Sequence, residues 1–342
     1  MKKVTMQEIA DTLKISRVTV WKVFSNREGV SAALRNTILR KAEEMNYLVP
    51  EQIRSTVLEP PSKNEQMTVS VTVSRPESSI FWMKIIHSLA KELNKYNINL
   101  MYTYLPSIAT SEYVLPAILS NQTVQGMIVL NVYNKKILNM LNNLTIPKVF
   151  MDMVTSKSFE SLQGDLVLLE GKHCVSQIVD SIIKKGRTKI GFIGDINYAQ
   201  TNYERWEGFL YAMQQNNIPV VSKYCFTGSI GIDTYQEEIE AFLDGLDAIP
   251  EAFICASDYI GHFLLQYYTN HDYKIPQDIA ISGYDDNQEY KFTEELTTVR
   301  VQNETIGKRL IAQLLYRMDN PDASFEIITI HSKVVFRKST DF

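Results

Sequence analysis

The opening stretch of the chain places apolar residues three and four positions apart, the period of a helix with one buried face. In "TMQEIADTLKISRVTVWKVFSN", Ile9, Ala10 and Leu13 mark one face of a first helix, and Thr5-Met6-Gln7-Glu8 has the spacing of a capping box at its start. Lys14-Ile15 turns the chain, and Ser16 is a good N-cap for a second helix. On a helical wheel from Arg17, Val20, Val23 and Phe24 fall on one side, while Val18, Trp21, Lys22 and Ser25 spread over the other. A segment from Ser31 carries Leu34, Ile38, Ala42 and Met45 at the same spacing and supplies the missing apolar face. The pattern predicts three short helices around one small core, with the second presenting its outer face to solvent.

Beyond Met67 the period changes. Strand-like runs ("TVSVTVSR", "NINLMY", "GMIVLNV", "IPKVFMD") are interspersed with helical segments over Phe81–Tyr96 and around Ala109–Leu119. A second series combines helices over Gly171–Lys185, Tyr203–Asn216, near Thr234–Leu243 and over Tyr259–Tyr268 with "KIGFIGD", "AFICAS" and "DIAISGYDD". Such alternation predicts α/β architecture with doubly wound, largely parallel sheets. The run is long for one sheet, so two lobes are expected. Between the two regimes, "PEQIRSTVLEPPSKNEQ" is polar, carries Pro60-Pro61 and reads as a connector. The expected organisation is a headpiece over 1–58, a linker over 59–66 and a core over 67–342. Lobe 1 is expected at about 67–154 and 294–318, and lobe 2 at about 155–293 and 319–342.

Composition narrows the class. Apolar residues are 45% and charged residues 22% of 342, the balance of a globular protein with a substantial core. The net charge of −4 is unevenly spread. Residues 1–60 hold ten Lys/Arg against seven Asp/Glu, a net of +3, and the remainder holds 25 against 32, a net of −7. A basic headpiece on an acidic body follows. No signal peptide or membrane-length apolar run is visible, and Cys174, Cys225 and Cys255 are scattered without CxxC spacing. A cytoplasmic protein with reduced thiols is expected, with no membrane partner. P-loop, GxGxxG, HExxH and GxSxG motifs are absent, and the five histidines show no metal-ligand spacing. Neither catalysis nor a cofactor or metal is expected.

Two readings of the headpiece remain open on the residues alone. A helix-turn-helix unit would set Arg17 and Val18 against base edges, where Arg can read guanine and Val can meet a thymine methyl, with Lys22 one turn on. A helical hairpin packed on the body would leave those residues merely solvated. In the core, ligands of doubly wound sheets sit beyond the carboxyl ends of strands. That rule selects Asp152, Asp195, Ser257-Asp258 and Asp285-Asp286, although any one of them alone can be a turn or cap residue.

The headpiece closely resembles that of the lactose-repressor (LacI/GalR) family of bacterial transcription regulators. The match runs through Val4-Thr5, Ile9-Ala10, Ile15-Ser16, Thr19-Val20, Val23, Val30-Ser31, Ala42 and Asn46-Tyr47. "IPQDIAISGYDD" (275–286), "LTTVRVQNETIG" (296–307) and "VVFRKST" (334–340) resemble stretches of the family's core. The resemblance implies a periplasmic-binding-protein-like core of two lobes joined by three crossovers, in a homodimer that reads a double-stranded DNA operator. It places Thr5, Ser16, Arg17, Val18, Thr19, Trp21, Lys22 and Ser31 at the DNA, with Arg17, Val18 and Lys22 reading bases. Trp21 departs from the small polar residue usual there. A hinge helix that wedges into the minor groove is implied for the linker, where Ile53, Val57 and Leu58 are the candidates. In the cleft, the resemblance implies a small-molecule effector, a sugar or sugar phosphate, held by Asp152, Arg205, Ser257, Asp258 and Asp285. Phe81 and Trp82 are implied at the entrance and Gln302 on a crossover. The expected function is a DNA-binding transcription regulator, more often a repressor. The alternative is a regulator controlled by a protein co-regulator, with a vestigial cleft.

Overall fold

The computed structural model describes residues 4–25, 27, 29–45, 47, 67–74, 80–121, 123–231, 234–287 and 295–342. The linker and the hinge candidates Ile53, Val57 and Leu58 lie outside them. The chain divides into two compact units, the second beginning at Met67.

The first unit is the expected trio of helices, α1 (Met6–Leu13), α2 (Arg17–Phe24) and α3 (Ala32–Glu44). Ile9, Ala10, Val20, Val23, Phe24, Ile38, Leu39 and Ala42 form its core, and the Phe24 and Tyr47 rings stack with centroids 5.1 Å apart. Local signals set the boundaries. The Thr5–Glu8 capping box is formed in both directions, Lys14 ends α1 in the left-handed region, and the Ser16 hydroxyl accepts from the Thr19 amide.

The second unit is built on two parallel sheets. The first holds β1 (Thr68–Val73), β2 (Asn99–Tyr104), β3 (Gly126–Leu130), β4 (Lys148–Met151), β5 (Asp165–Leu169) and a late strand, Ile327–Ile330. Its spatial order is the late strand, then β5-β4-β3-β1-β2. Both faces are covered, so the alternate residues of β3 are all buried: Ile128 and Leu130 face one apolar cluster and Met127 and Val129 another. Helices α4 (Ile80–Lys95) and α5 (Lys135–Asn142) belong to this lobe. The second sheet combines β6 (Ile190–Ile193), β7 (Cys225–Phe226), β8 (Ala252–Cys255) and β9 (Ala280–Ser282) in the order β7-β6-β8-β9. Around it lie α6 (Lys172–Lys184), α7 (Gln200–Gln215), α8 (Tyr235–Asp244) and α9 (Asp258–Asn270). After β10 (Thr298–Arg300) the chain returns to the first lobe as α10 (Asn303–Asp319), which packs on α4, and then as β11 (Ile327–Ile330). It crosses a third time into β12 (Lys333–Val335), antiparallel to β10.

Two expectations need correction. The lobe division at 154/155 and 318/319 misplaces β5 and β11, which pair with each other and complete the first sheet. The crossovers therefore fall at about 170, 301 and 331. Burial explains the placement: Asp165, fully buried, takes a two-pronged ion pair from Arg317 of α10 (2.8 and 3.0 Å), which pins β5 to the first lobe. The helix expected around Ala109–Leu119 is a loop that ends in a single 3-10 turn, Ala117–Leu119. Pro116 restricts the residue before it to extended backbone, so Tyr113, Leu115 and Ile118 pack on the core from an irregular path while Val114 is 74% exposed. Among the described residues no helix is long and apolar enough to cross a membrane, and the three cysteines are free.

Candidate functional site

In the headpiece the side chains singled out by the sequence divide into two groups. Thr5, Ser16 and Ser31 hold helix starts, accepting from the Glu8, Thr19 and Leu34 amides, and the Thr19 hydroxyl lies 2.8 Å from that of Ser16. Arg17, Val18 and Trp21 face solvent, Val18 at 60% and Trp21 at 47% exposure, and Lys22 is half-buried. An exposed valine and tryptophan on an eight-residue helix beside a cation form a surface that burial does not explain. Arg35 of α3 donates to the carbonyls of Val23 and Arg27, fixing the segment after α2. The outward face is therefore held from behind.

In the core, the carboxyl ends of both sheets converge on a cleft of about 640 Å³. Phe81, Trp82, Asp152, Arg205, Ser257, Asp258 and Asp285 all line it. Gln302 does not. It is exposed at the N-terminus of α10, its side chain accepts from the Thr305 hydroxyl, and the crossover backbone turns it away.

The backbone at these strand ends is unusual. Asn131 after β3, Asp152 after β4, and Asp285 and Asp286 after β9 have φ of 53°, 65°, 117° and 52°. Such conformations cost a non-glycine residue about 1–3 kcal/mol each and concentrate where function constrains the chain. Their side chains explain the constraint. Asp152 accepts from the Met153 and Thr201 amides (2.8 and 3.2 Å) and the Thr201 and Tyr133 hydroxyls (2.7 and 2.8 Å). Because Thr201 belongs to α7, this carboxylate ties one lobe to the other. Tyr198 reinforces the tie by donating to Asn131 Oδ1 at 3.0 Å and packing its ring 4.2 Å from that of Tyr133.

Arg205, on α7, is buried beneath the cleft. Its Nη1 donates to the Ala256 carbonyl, its Nη2 stands 3.7 Å from Asp285, and its guanidinium lies 3.6 Å over the Tyr284 ring. Gly208, one turn later, makes this position possible, since a Cβ there would meet the Lys172 carbonyl oxygen at 2.3 Å. The two adjacent aspartates diverge as a strand end predicts. Asp285 faces the cleft, and Asp286 turns to Arg300 and Arg337 (2.5 and 2.6 Å). Burial pushes the Asp285 carboxyl up to about 7, against the pull of Arg205, and pushes Glu204 to about 7, with Asp152 adding to the effect. Asp152 is also raised by burial, despite its hydrogen bonds. Burial acts on Asp286 too, but its two arginines outweigh it and hold that carboxyl low.

Two of the expected residues have structural duties. Ser257 caps α9, accepting from the Ile260 amide. Asp258, 1% exposed, accepts from the Thr298 hydroxyl at 2.5 Å and the Asn287 amide at 2.7 Å, and burial raises its carboxyl to about 6. Lining residues that sequence reasoning passed over include Asn131, Tyr133, Tyr198, Tyr235 and Tyr259. Asn131 directly follows an apolar strand, so the rule that selected Asp152 could have found it. The tyrosines carry no such signal.

Comparison with known proteins agrees with this geometry. Residues 179–340 match the periplasmic binding protein-like domain. The chain is 25% identical to the HTH-type transcriptional repressor PurR of Mannheimia succiniciproducens, over 98% of each chain. It is 22% identical to the NTD biosynthesis operon regulator NtdR of Bacillus subtilis, over 98% of this chain and 99% of that one. Among solved structures, a complex of the transcriptional regulator CelR with cellobiose aligns with a TM-score of 0.70 at 20% identity, over 98% of this chain and 100% of that one. The lac repressor dimer bound to operator and the anti-inducer ONPF aligns with a TM-score of 0.64 at 17% identity, over 99% of each. An outward helix-turn-helix face and a cleft-bearing, two-lobed core thus define a DNA-binding transcription regulator. Within that class, the relatives and the shared fold support the lactose-repressor (LacI/GalR) family.

Proposed function

We propose that the protein is a dimeric repressor whose affinity for a two-fold-related DNA operator is set by a small carbohydrate bound in the core cleft. Arg17, Val18 and Lys22 read base edges from the major groove, while Thr5, Ser16, Thr19, Trp21 and Ser31 lie along the sugar-phosphate backbone. In the cleft, Arg205 and Asp285 pair with ligand hydroxyls, and Phe81 and Trp82 cover an apolar sugar face. Asp152 acts with Thr201 as the tie between lobes, so a ligand beside it bears on their relative position. Ser257 and Asp258 shape the wall, and Gln302 has no direct part. An effector shifts DNA affinity only by its differential affinity for the two arrangements of the lobes.

The observation that carries this reading is the pair of buried Arg205 and half-buried Asp285 lining a cleft that also holds aromatic residues. Relatives in the same fold support the ligand class: CelR was solved with cellobiose, and a LacI-family regulator of Enterococcus faecium with ribose. A protein co-regulator acting over a vestigial cleft is disfavoured by the cleft's volume of about 640 Å³, ample for a sugar. Selection of bound duplexes from a random pool, repeated with and without candidate sugars, tests the reading. A palindromic consensus is expected, with occupancy that changes when the right sugar is added. If each headpiece neutralises about four phosphates, log affinity falls with log salt at a slope near −7. A slope near zero on the selected site would overturn specific duplex binding.

A further inference from the structure

The carbohydrate reading does not fix the ligand's charge, but the cleft's own charges bear on it. Among the described lining residues, Asp152, Asp195, Asp258 and Asp285 are acidic, and Arg205 is the one cation. Arg205 is already engaged by the Ala256 carbonyl, Asp285 and the Tyr284 ring, and only its buried Nε has no partner among the described residues. The carboxylates differ in what they have left to give. Asp152 and Asp258 are held by hydrogen bonds from within the fold. Asp195 uses one oxygen to accept from the Asn197 and Tyr198 amides. Among the described residues, the Asp285 carboxylate has only the long contact to Arg205, and Asp285 lines the cleft.

Resting on the carbohydrate-effector reading, we propose that the effector is an amine-bearing sugar, its ammonium against Asp285. A phosphorylated sugar would meet surplus negative charge in a partly dehydrated cleft, where like charges repel far more strongly than in water. An ammonium makes charge-assisted hydrogen bonds to the same carboxylates and is attracted by the faces of the lining aromatic rings. Asp285, pushed up to about 7 by burial with Arg205 and Asp258 as its charged neighbours, gives the idea a signature. A cation bound beside it favours the ionised form, so binding near neutral pH releases protons.

The test is calorimetry on the full-length protein with matched triples: glucose, glucosamine and glucose 6-phosphate, and their galacto and manno counterparts. In the configuration that binds, the amine is expected to be at least tenfold tighter than the neutral sugar and the phosphate the weakest of the three. Titrations in two buffers of different ionisation enthalpy should reveal proton release for the amine alone. Asp285→Asn should cut the amine-to-neutral ratio below threefold, and Asp195→Asn should lower it less. The wild-type proton release stands as evidence even if Asp285→Asn fails to fold. A neutral or phosphorylated sugar that binds more tightly than its amine overturns the proposal and leaves the carbohydrate reading intact. Silence across all nine sugars overturns both.

Discussion

The outer face of α2 and the floor of the cleft hold the same kinds of side chain in opposite circumstances. Arg17 and Trp21 stand in solvent on a helix whose other side is fully buried, and the fold asks nothing of them. Arg205 is buried, Asp285 is half-buried with a strained left-handed backbone, and the two are paired, so the fold depends on them while Asp285 remains open to a ligand. The difference teaches where stability and function can be separated. A recognition surface set on a capped helix can change residue by residue at little structural cost. A polar cleft floor cannot, because removing one partner strands the other in a low-dielectric site.

The largest break in that comparison should come from Arg205→Ala. It leaves Asp285 without its counter-charge and the Tyr284 face uncovered, and about 3 kcal/mol of core stability should be lost in denaturant titration. A midpoint within half a kcal/mol of wild type would show that the floor is no more structural than the α2 face. Next, Arg17→Ala should cost about 1–3 kcal/mol of operator affinity, with loss of discrimination at one base pair and no change in thermal stability. A footprint unchanged at every position would remove Arg17 from base reading.

A pH series sharpens the contrast. The Asp285 carboxyl titrates higher in the folded state than in the unfolded chain, so its contribution is full below about pH 4 and is lost as pH rises through about 7. Asp285→Asn, which cannot ionise, should gain on the wild type between pH 5 and pH 8, by on the order of 1–2 kcal/mol. Parallel stability curves for the two proteins would contradict a raised carboxyl. The smallest effect is expected from Ser16→Ala, which removes the hydroxyl that accepts from the Thr19 amide. About 1 kcal/mol of headpiece stability should go, read by hydrogen exchange in α1 to α3, with the core unaltered.

Legibility followed the range of the interactions. The headpiece was readable because its cap at Thr5, its turn at Lys14 and its apolar faces are all fixed within a few residues. Strand ends were readable too, since Asp152, Asp258 and Asp285 each follow a short apolar run. The strand "DLVLL" of β5 escaped notice because five buried residues show no alternation. Gln302 was placed in the cleft by its position on a crossover, but the direction of its side chain depends on how α10 starts.

By itself the sequence determined the helix-turn-helix unit, the two-sheet plan and the set of polar residues at strand ends, because periodicity, capping and chain direction are local properties. Only the tertiary structure decided that β5 and β11 complete the first sheet, that Asp152 ties the lobes, and that Asp285 faces the cleft while Asp286 is held by Arg300 and Arg337. Those outcomes rest on partners more than ten residues away and on left-handed backbone at non-glycine positions, conformations that the surrounding fold imposes and no neighbouring residue announces.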